Sequence, residues 1–345
     1  MKNNKKILIT GAAGFVGSHL AQYLHQNGCH VYITDFFDRI GRIRYLSDCF
    51  HMDFCKEYVD LSIKVPFTEH RFDCVVHLAA WPHVDFSQYY PQVTLHNNIS
   101  SLINILEYCR HGDIPIIFAS SVEVYGGIEQ EHPYCETDQL NPVSPYGVSK
   151  QAGEEIVNSY ISNFKLRAAI IRFTNLYGPL QLPDRIIPRM ITRQLCGYKT
   201  DIEADFCRDF LFIRDAVRGI AYMIEQEHYN GQIYNLASGI SVNMRQLADC
   251  ISNEMGTVCY TDRLCLRAVD SRGKYLHIDN RLFTKNIQWK PEYNLTQGVS
   301  ATCKWYKEHK YWWLAFKKNI LNNRLSPEFL IDSVENPQIH LEKII

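Results

Sequence analysis

The sequence predicts an α/β protein built on a doubly wound parallel sheet, with a smaller C-terminal α/β lobe. Two observations lead to this prediction. Short apolar runs alternate with helical patterns between Ile7 and Ile171, and a glycine-rich turn joins the first run to the first helical pattern. Strands that alternate with helices are typical of a parallel sheet covered by helices on both faces.

The glycine-rich turn follows the apolar run Ile7–Thr10 and has the spacing G-x-x-G-x-x-G. Gly11 permits a tight turn, Gly14 lets a pyrophosphate approach the backbone, and Gly17 lets the helix pack closely on the strand. The N-terminus of that helix offers N–H groups to phosphates. The turn therefore indicates a Rossmann-type dinucleotide site. Its expected cofactor contacts are Gly11, Gly14, Phe15, Val16 and Gly17.

The second predicted strand, Val31–Thr34, ends at Asp35. This is the distance from the glycines at which such folds place the acid that binds the adenosine ribose. A carboxylate favours NAD over NADP because it would repel a 2′-phosphate, although Arg39 and Arg42 nearby weaken this preference slightly. We therefore expect NAD as the cofactor.

Three further apolar runs predict strands at Cys74–Leu78, Ile114–Phe118 and Ala168–Ile171, with helices at Asn98–Arg110 and Gln151–Phe164. Ligands of a doubly wound sheet lie at the carboxyl ends of its strands. We accordingly expect more cofactor contacts from Asp60, Leu61, Leu78, Ala79 and Ala80. Asp60 fits the role of a simple loop aspartate equally well.

The chain is expected to divide into three parts. Residues 1–172 form the NAD-binding domain with the catalytic residues, 173–316 form mainly the substrate-binding lobe, and 317–345 form a tail of unknown role. The boundary follows from a change after residue 173 to a less regular pattern that is richer in Arg and Pro.

Charge and composition exclude several classes of function. Lys and Arg number 36 against 37 Asp and Glu, which argues against a general binder of nucleic acid or anionic membranes. Neither a signal-peptide pattern nor an apolar run long enough to span a membrane is visible. The 12 cysteines show no C-x-x-C spacing, so we expect reduced thiols, no metal site and a cytoplasmic protein.

Tyr146 and Lys150 stand one helical turn apart at the start of a helical segment, so both side chains can reach one site. An adjacent ammonium and an oxidised nicotinamide are expected to lower the pKa of the phenol from its usual value near 10. The phenolate could then take a proton from a substrate hydroxyl. The same spacing also occurs by chance on solvated helix faces.

The segment Ser120–Gly126 follows a predicted strand. If it stays extended, Ser121, Glu123 and Tyr125 share one face, while Val122 and Val124 face the core. Ser121 could then hydrogen-bond the reacting hydroxyl, and Glu123 could act as a base at a neighbouring carbon. From spacing alone, a surface carboxylate at Glu123 is equally compatible.

Together these residues resemble the extended short-chain dehydrogenases that modify nucleotide sugars, and within them the dTDP-glucose 4,6-dehydratase-like branch. The similarity spans nearly the whole chain. Its most specific segments are His83–Ser87, which resembles H-V-D-x-S, Arg172–Pro188, Arg208–Asp215 and the aromatic pairs Trp305-Tyr306 and Trp312-Trp313.

The resemblance implies NAD, a nucleotide-diphosphate sugar as substrate, and a homodimer in which helices Asn98–Arg110 and Tyr146–Phe164 pair. It implies catalytic roles for Ser121, Glu123, Tyr146 and Lys150. It also implies substrate contacts from His83, Asn175, Arg185, Arg208, Asn243 and Arg272, the last in a segment shortened relative to the family.

Val122 departs from this pattern, because the dehydratases carry T-D-E-V-Y-G where this chain has Ser121-Val-Glu. Glu123 and the long matching segments favour an NDP-hexose 4,6-dehydratase. The missing Asp favours a 4-epimerase or a uronate decarboxylase with the same Ser/Tyr/Lys set. A non-catalytic NAD-binding protein is the third alternative, which the retention of Ser121, Tyr146 and Lys150 disfavours.

Overall fold

A computed structural model describes residues 4–37, 41–52, 54–127, 132–204, 206–262 and 275–315. The strands are β1 Lys6–Thr10, β2 His30–Asp35, β3 Cys55–Tyr58, β4 Cys74–His77, β5 Ile116–Ser121, β6 Ala168–Phe173, β7 Asn175–Tyr177, β8 Thr200–Ile202, β9 Cys207–Phe212, β10 Asn230–Leu236, β11 Ser241–Asn243, β12 Tyr260–Asp262 and β13 Tyr275–Leu276. The α-helices are α1 Phe15–Gln26, α2 Arg42–Phe50, α3 Val84–Tyr89, α4 Pro91–Gly112, α5 Pro145–Phe164, α6 Ile186–Leu195, α7 Ile213–Glu225, α8 Met244–Met255, α9 Arg281–Ile287, α10 Leu295–Glu308 and α11 Lys310–Leu314.

The main sheet has seven parallel strands in the order β10-β6-β5-β4-β1-β2-β3, which confirms the predicted doubly wound fold. Its central strands are rich in apolar residues because helices cover both faces; Ile7, Leu8 and Ile9 of β1 are fully buried. The strand order reverses between β1 and β4, since the chain runs outward through β2 and β3 on one side and through β5 and β6 on the other. Such a switch point opens the crevice in which this fold binds ligands.

The C-terminal part of the chain contributes to both lobes. Strand β10 pairs in parallel with β6 and so completes the main sheet, and α7 packs against α1. The second lobe is built around a smaller sheet in which β9 pairs with β7, β11 and β13. The division after residue 172 stays a prediction, and the main sheet takes its last strand from beyond that point.

Large aromatic side chains fill the core that the two lobes share. Trp289, Trp313, Tyr177 and Tyr306 are almost completely buried. The indole Nε1 of Trp313 donates a 2.8 Å hydrogen bond to the carbonyl oxygen of Tyr306, so the polar atom of this buried ring has a partner. Within the described ranges, every helix is too short or too polar to cross a membrane.

Candidate active site

In the glycine-rich turn, Gly11 and Gly17 are the positions with the least room for a side chain. Gly11 has φ +68°, and a Cβ there would lie 2.6 Å from the backbone nitrogen of Ala79. A Cβ on Gly17 would lie 2.3 Å from the carbonyl oxygen of Gly11. Gly14 is the N-cap of α1 and has no side chain to accept hydrogen bonds from the first N–H groups of the helix. The first two of these belong to Phe15 and Val16. The turn therefore presents backbone donors that an anionic group can accept.

Asp35 lies at the end of β2 beside this turn. Its Oδ2 accepts a 2.9 Å hydrogen bond from the N–H of Ala13, and its Oδ1 accepts one of 2.7 Å from the N–H of Phe36. Arg42 is buried and donates 3.0 Å hydrogen bonds to the carbonyl oxygens of Ala13 and Leu180. It thereby ties the turn to the second lobe, whereas Arg39 lies outside the described residues.

The residues after β4 close the other side of the crevice. The N–H groups of Leu78 and Ala79 donate to the carbonyl oxygen and the Oγ1 of Thr10, at 3.2 and 3.3 Å, and Ala80 follows. Asp60 caps its own turn, because its Oδ1 accepts hydrogen bonds from both the N–H and the hydroxyl of Ser62. Its neighbour Leu61 is buried in the core.

The prediction of an extended Ser121–Tyr125 segment is wrong, because Val122–Tyr125 forms a 3-10 helix. The Oγ of Ser121 starts this turn by accepting a 3.2 Å hydrogen bond from the N–H of Glu123. Val122 and Val124 face the core as expected. Tyr125 is buried too, and its hydroxyl donates to Oδ1 of Asn235 at 2.7 Å, so it does not share a face with Ser121 and Glu123.

Helix α5 carries the Tyr146–Lys150 pair into the site. Ser144 caps the helix, accepting a 3.0 Å hydrogen bond from the N–H of Gly147. The Nζ of Lys150 lies 5.9 Å from the centre of the Tyr146 ring and donates a 2.7 Å hydrogen bond to the carbonyl oxygen of Ala119. The two side chains thus share one face, as the one-turn spacing predicts.

Burial dominates the ionisation of this pair. It raises the pKa of Tyr146 to about 12, although a hydrogen bond with Ser121 and the charge of Arg185 lower it. It also lowers the pKa of Lys150 to about 7, against the charge of Glu154. In the chain alone the pKa of Tyr146 is therefore raised, because desolvation disfavours the phenolate as it disfavours the ammonium of Lys150. The lowering expected with an oxidised nicotinamide present stays a prediction.

Glu123 lies in the same cleft as Tyr146. Burial raises the pKa of its carboxyl group, the charges of Arg208 and Arg185 lower it, and Asp85 raises it. The charge of Glu123 in turn raises the pKa of Tyr146. A carboxyl group whose proton affinity is raised by burial is suited to general acid–base chemistry.

A contact between the lobes borders this cleft. The Nδ1 of His83 lies 3.0 Å from Oδ2 of Asp184, and Nη2 of Arg185 donates a 3.1 Å hydrogen bond to the carbonyl oxygen of Pro82. Burial lowers the pKa of His83, which the carboxylate of Asp184 only partly offsets. His83 and Arg185, two expected substrate contacts, are therefore brought together at the edge of the site.

Strand β9 and its neighbours bring the other expected substrate contacts near one another. Nη1 of Arg208, on β9, donates a 2.8 Å hydrogen bond to the carbonyl oxygen of Cys207. Nδ2 of Asn175 donates one of 3.1 Å to the carbonyl oxygen of Asp209. Asn243 pairs with Cys207 in β11, and its side-chain oxygen caps α8 through a capping box with Gln246. Arg272 lies outside the described residues.

Two groups of supporting residues are absent from the sequence-based expectations. Oδ1 of Asn98 accepts a 2.7 Å hydrogen bond from the N–H of Trp81 and fixes the segment after β4. Glu154 forms a buried ion pair with Arg172 beneath Lys150. The one-turn spacing of Lys150 and Glu154 indicates Glu154, whereas no local pattern indicates its partner Arg172. Among the described residues, no cluster of His, Cys, Asp or Glu is placed to bind a metal ion.

The sequence of this chain is similar to those of nucleotide-sugar dehydratases and related proteins. The family model described as the NAD dependent epimerase/dehydratase family matches residues 7–237. "Protein CapI" from Staphylococcus aureus is 30% identical over 335 residues, which cover 88% of this chain and 99% of that protein. A dTDP-D-glucose 4,6-dehydratase from Dictyostelium discoideum is 29% identical, covering 90% of this chain and 83% of that enzyme.

A solved structure with a similar fold contains both a cofactor and a nucleotide sugar. The UDP-glucuronic acid 4-epimerase from Bacillus cereus, in complex with UDP-glucuronic acid and NAD, superposes with a TM-score of 0.79. Its sequence is 28% identical, and the match covers 88% of this chain and 99% of that one. Dehydratases and epimerases are thus found at comparable distances from this chain.

Proposed function

This chain belongs to the NAD-dependent epimerase/dehydratase family, and from that premise we propose that it is an NDP-hexose 4,6-dehydratase. The observation that carries the proposal is the position of Glu123. Its carboxyl group lies within electrostatic reach of Tyr146, and burial raises its pKa. A 4,6-dehydratase needs such a group beside the residues that oxidise C4, because it must also remove a proton from C5.

The family is NAD-dependent, and the residues of this chain fit that cofactor. A side chain at Gly11 or Gly17 would collide with the backbone of Ala79 or of Gly11. Asp35 lies beside the turn and accepts a hydrogen bond from the N–H of Ala13. When bound, NAD⁺ would accept a hydride from C4 of the sugar and would return it to C6 after water has left, while C5 regains a proton from solvent. Its proposed contacts are Gly11, Gly14, Phe15, Val16, Gly17, Asp35, Asp60, Leu61, Leu78, Ala79, Ala80, Tyr146 and Lys150.

In the proposed first step, Tyr146 takes the proton of the C4 hydroxyl. Ser121, which hydrogen-bonds Tyr146, binds the same substrate oxygen and later the ketone. Tyr146 must act as a phenolate here, and Lys150 and Arg185 are the nearby cations that favour that form. The 4-ketone then acidifies the C5 hydrogen.

In the proposed second step, Glu123 acts first as a base and then as an acid. It removes the C5 proton and returns that proton to the departing hydroxyl at C6. The C5–H and C6–O bonds break, a C5–C6 double bond forms, and water leaves. One residue must serve both roles, because Val122 occupies the position of the usual acid and its side chain is buried in the core.

We propose that the substrate is held between the two lobes. Arg185 and Arg208 suit a diphosphate because a guanidinium can donate two parallel hydrogen bonds to it. Both also reach Glu123 electrostatically, so the diphosphate sugar would lie beside the reacting groups. The proposed substrate contacts are His83, Asn175, Arg185, Arg208, Asn243 and Arg272.

A second candidate function is a 4-epimerase or uronate decarboxylase. Its support is Val122, whose buried side chain leaves no separate acid for a leaving hydroxyl. Neither reaction needs such an acid, and both use Ser121, Tyr146 and Lys150. Glu123 would then need another role, which is why we place dehydration first.

The experiment is mass spectrometry of products from a panel of UDP-, dTDP-, GDP- and CDP-sugars that includes uronates. Loss of one water supports the dehydratase. An isomer of unchanged mass, or loss of carbon dioxide, supports the second candidate. Asp48→Asn, which removes an exposed carboxylate from α2, is the control and should behave as the wild type.

We also propose that the protein is a cytoplasmic homodimer paired through α4 and α5. Ile103 on α4 and Val148 on α5 are 37% and 44% exposed, as apolar side chains at a subunit interface would be in one isolated chain. Light scattering on the purified protein should give twice the chain mass of 40.2 kDa. A monomer at micromolar concentration would contradict the pairing.

A further inference from the structure

The end of β5 lies along the face of α5 that carries the proposed catalytic residues. The carbonyl oxygen of Ala119 accepts a hydrogen bond from Lys150, and the hydroxyl of the next residue, Ser120, donates one of 2.5 Å to Oε1 of Glu154. Lys150 and Glu154 are one helical turn apart, and they are only 4% and 1% exposed. Glu154 therefore lies one helical turn beyond Lys150, and Lys150 lies between it and Tyr146 along the helix.

Glu154 is held in place from the opposite side by Arg172 on β6. Nε and Nη2 of Arg172 donate hydrogen bonds of 2.9 and 2.6 Å to the two carboxylate oxygens. Nη1 of Arg172 continues to the hydroxyl of Tyr125 at 2.9 Å and to the carbonyl oxygen of Glu136 at 3.1 Å. The carboxylate is thus fixed in one orientation beneath the site.

Stability alone does not explain this ion pair. Desolvating two charges costs about as much as their attraction returns, so a buried pair is often no more stable than an apolar replacement. The position of the pair suggests another role. Glu154 is the charged group that opposes the loss of the ammonium charge on Lys150, whose own hydrogen bond is to a neutral carbonyl oxygen.

Among the described residues, the other groups that face Lys150 do not supply a negative charge. On β4, His77 is buried near the Phe118 ring, and burial lowers its pKa to about 3, so it is neutral. Tyr146 on α5 is neutral because its pKa is raised to about 12. Arg172 is cationic and is directed at Glu154.

We propose that Glu154 is a positioning residue: its buried carboxylate keeps Lys150 in the ammonium form and, through Ser120, holds the end of β5 that carries Ser121. The kinetic consequence rests on the proposed function. The charge state of Lys150 does not, because it is measured without any sugar substrate.

The test is a titration of Lys150 by nuclear magnetic resonance with lysine labelled by carbon-13 at Cε. The Lys150 signal is assigned by its loss in Lys150→Met. In Glu154→Gln its midpoint should fall by about one pH unit or more, since the opposite charge within the same buried site is gone. Asp48→Asn, which neutralises an exposed carboxylate on α2, should leave the midpoint unchanged. An unchanged midpoint in Glu154→Gln would overturn the proposal.

A kinetic measurement separates this inference from the proposed function. The kinetic assay uses a substrate that reduces the bound NAD. As the pH rises, the activity of Glu154→Gln should begin to fall at a lower pH than that of the wild type, with KM unchanged. If the wild type reduces its NAD with no sugar of the panel while the Lys150 midpoint still falls, the proposed function fails and the inference stands. A wild-type pH profile in Glu154→Gln would count against the inference alone.

Glu154→Gln leaves the Arg172 charge buried without its carboxylate, which can prevent folding. Glu154→Gln combined with Arg172→Gln removes both charges and keeps a polar amide at each position. The Lys150 midpoint of this folded double variant should still lie below that of the wild type. A midpoint equal to the wild-type value would overturn the proposal.

Discussion

The carbonyl oxygen of Ala119 accepts a 2.7 Å hydrogen bond from the Nζ of Lys150. This contact holds the amine beside the ring of Tyr146 in a buried site, where its pKa is lowered to about 7. The ammonium form is therefore present below that pH and is lost as the pH rises through it. The cation that favours the Tyr146 phenolate is sensitive to pH near neutrality.

Replacing Lys150 should expose this dependence. We expect Lys150→Met to slow the reduction of bound NAD by roughly 10²-fold or more, because the phenolate loses its nearby cation. In the wild type the same step should slow as the pH rises through about 7. Rapid-mixing absorbance measurements across this range check both effects. A wild-type rate that stays constant through that range would contradict the assigned role.

Glu123→Gln should separate oxidation from the chemistry at C5. The amide cannot take a proton, so water loss and exchange of the C5 hydrogen with heavy water should stop, while reduction of bound NAD continues. Mass spectrometry of sugar recovered from heavy water gives the exchange. Asp48→Asn, at an exposed carboxylate on α2, should exchange as the wild type does. Full exchange in Glu123→Gln would remove Glu123 from the mechanism.

Asp35→Ala should weaken NAD binding by about 10-fold, which corresponds to about 1.4 kcal/mol. The variant loses the acceptors of the Ala13 and Phe36 N–H groups and the carboxylate expected at the ribose. Titration calorimetry with NAD and NADP measures the change and shows whether the preference for NAD falls. Asp48→Ala, at a carboxylate 67% exposed on α2, is the control. Equal NAD affinity in Asp35→Ala and wild type would disprove this contact.

Gly17→Ala should destabilise the folded protein by roughly 1–3 kcal/mol and abolish NAD binding. The added Cβ would meet the carbonyl oxygen of Gly11 at 2.3 Å, and backbone atoms must move to make room. Gly112→Ala is the matched control, because there the nearest atom is the flexible end of the Ile114 side chain. Thermal unfolding with and without NAD distinguishes the two variants. Unfolding at the wild-type temperature, with normal binding, would contradict the packing of the turn.

Local patterns in the sequence account for the fold and for the pairs of residues close along the chain. The apolar runs predict the central strands because both faces of that sheet are buried. The one-turn spacing predicts that Tyr146 and Lys150 share a face. Strand β10 was not foreseen, since its place beside β6 depends on packing between distant parts of the chain.

The remaining differences have identifiable physical causes. Ser121–Tyr125 does not stay extended because the Ser121 hydroxyl satisfies the N–H of Glu123 and starts a 3-10 turn. Asn243 caps α8, which its spacing to Gln246 also indicates, and its substrate contact stays a prediction. Glu154 and Arg172 meet only in the folded chain, so their pairing could not be predicted from local spacing.

Oxidation at C4 by Ser121, Tyr146 and Lys150 is tested by the reduction of bound NAD with the nucleotide-sugar panel. The wild type should show NADH absorbance with at least one sugar, and Tyr146→Phe should show none while still binding NAD. If the wild type binds NAD but no sugar reduces it, oxidation at C4 is ruled out and the protein is a non-catalytic NAD binder.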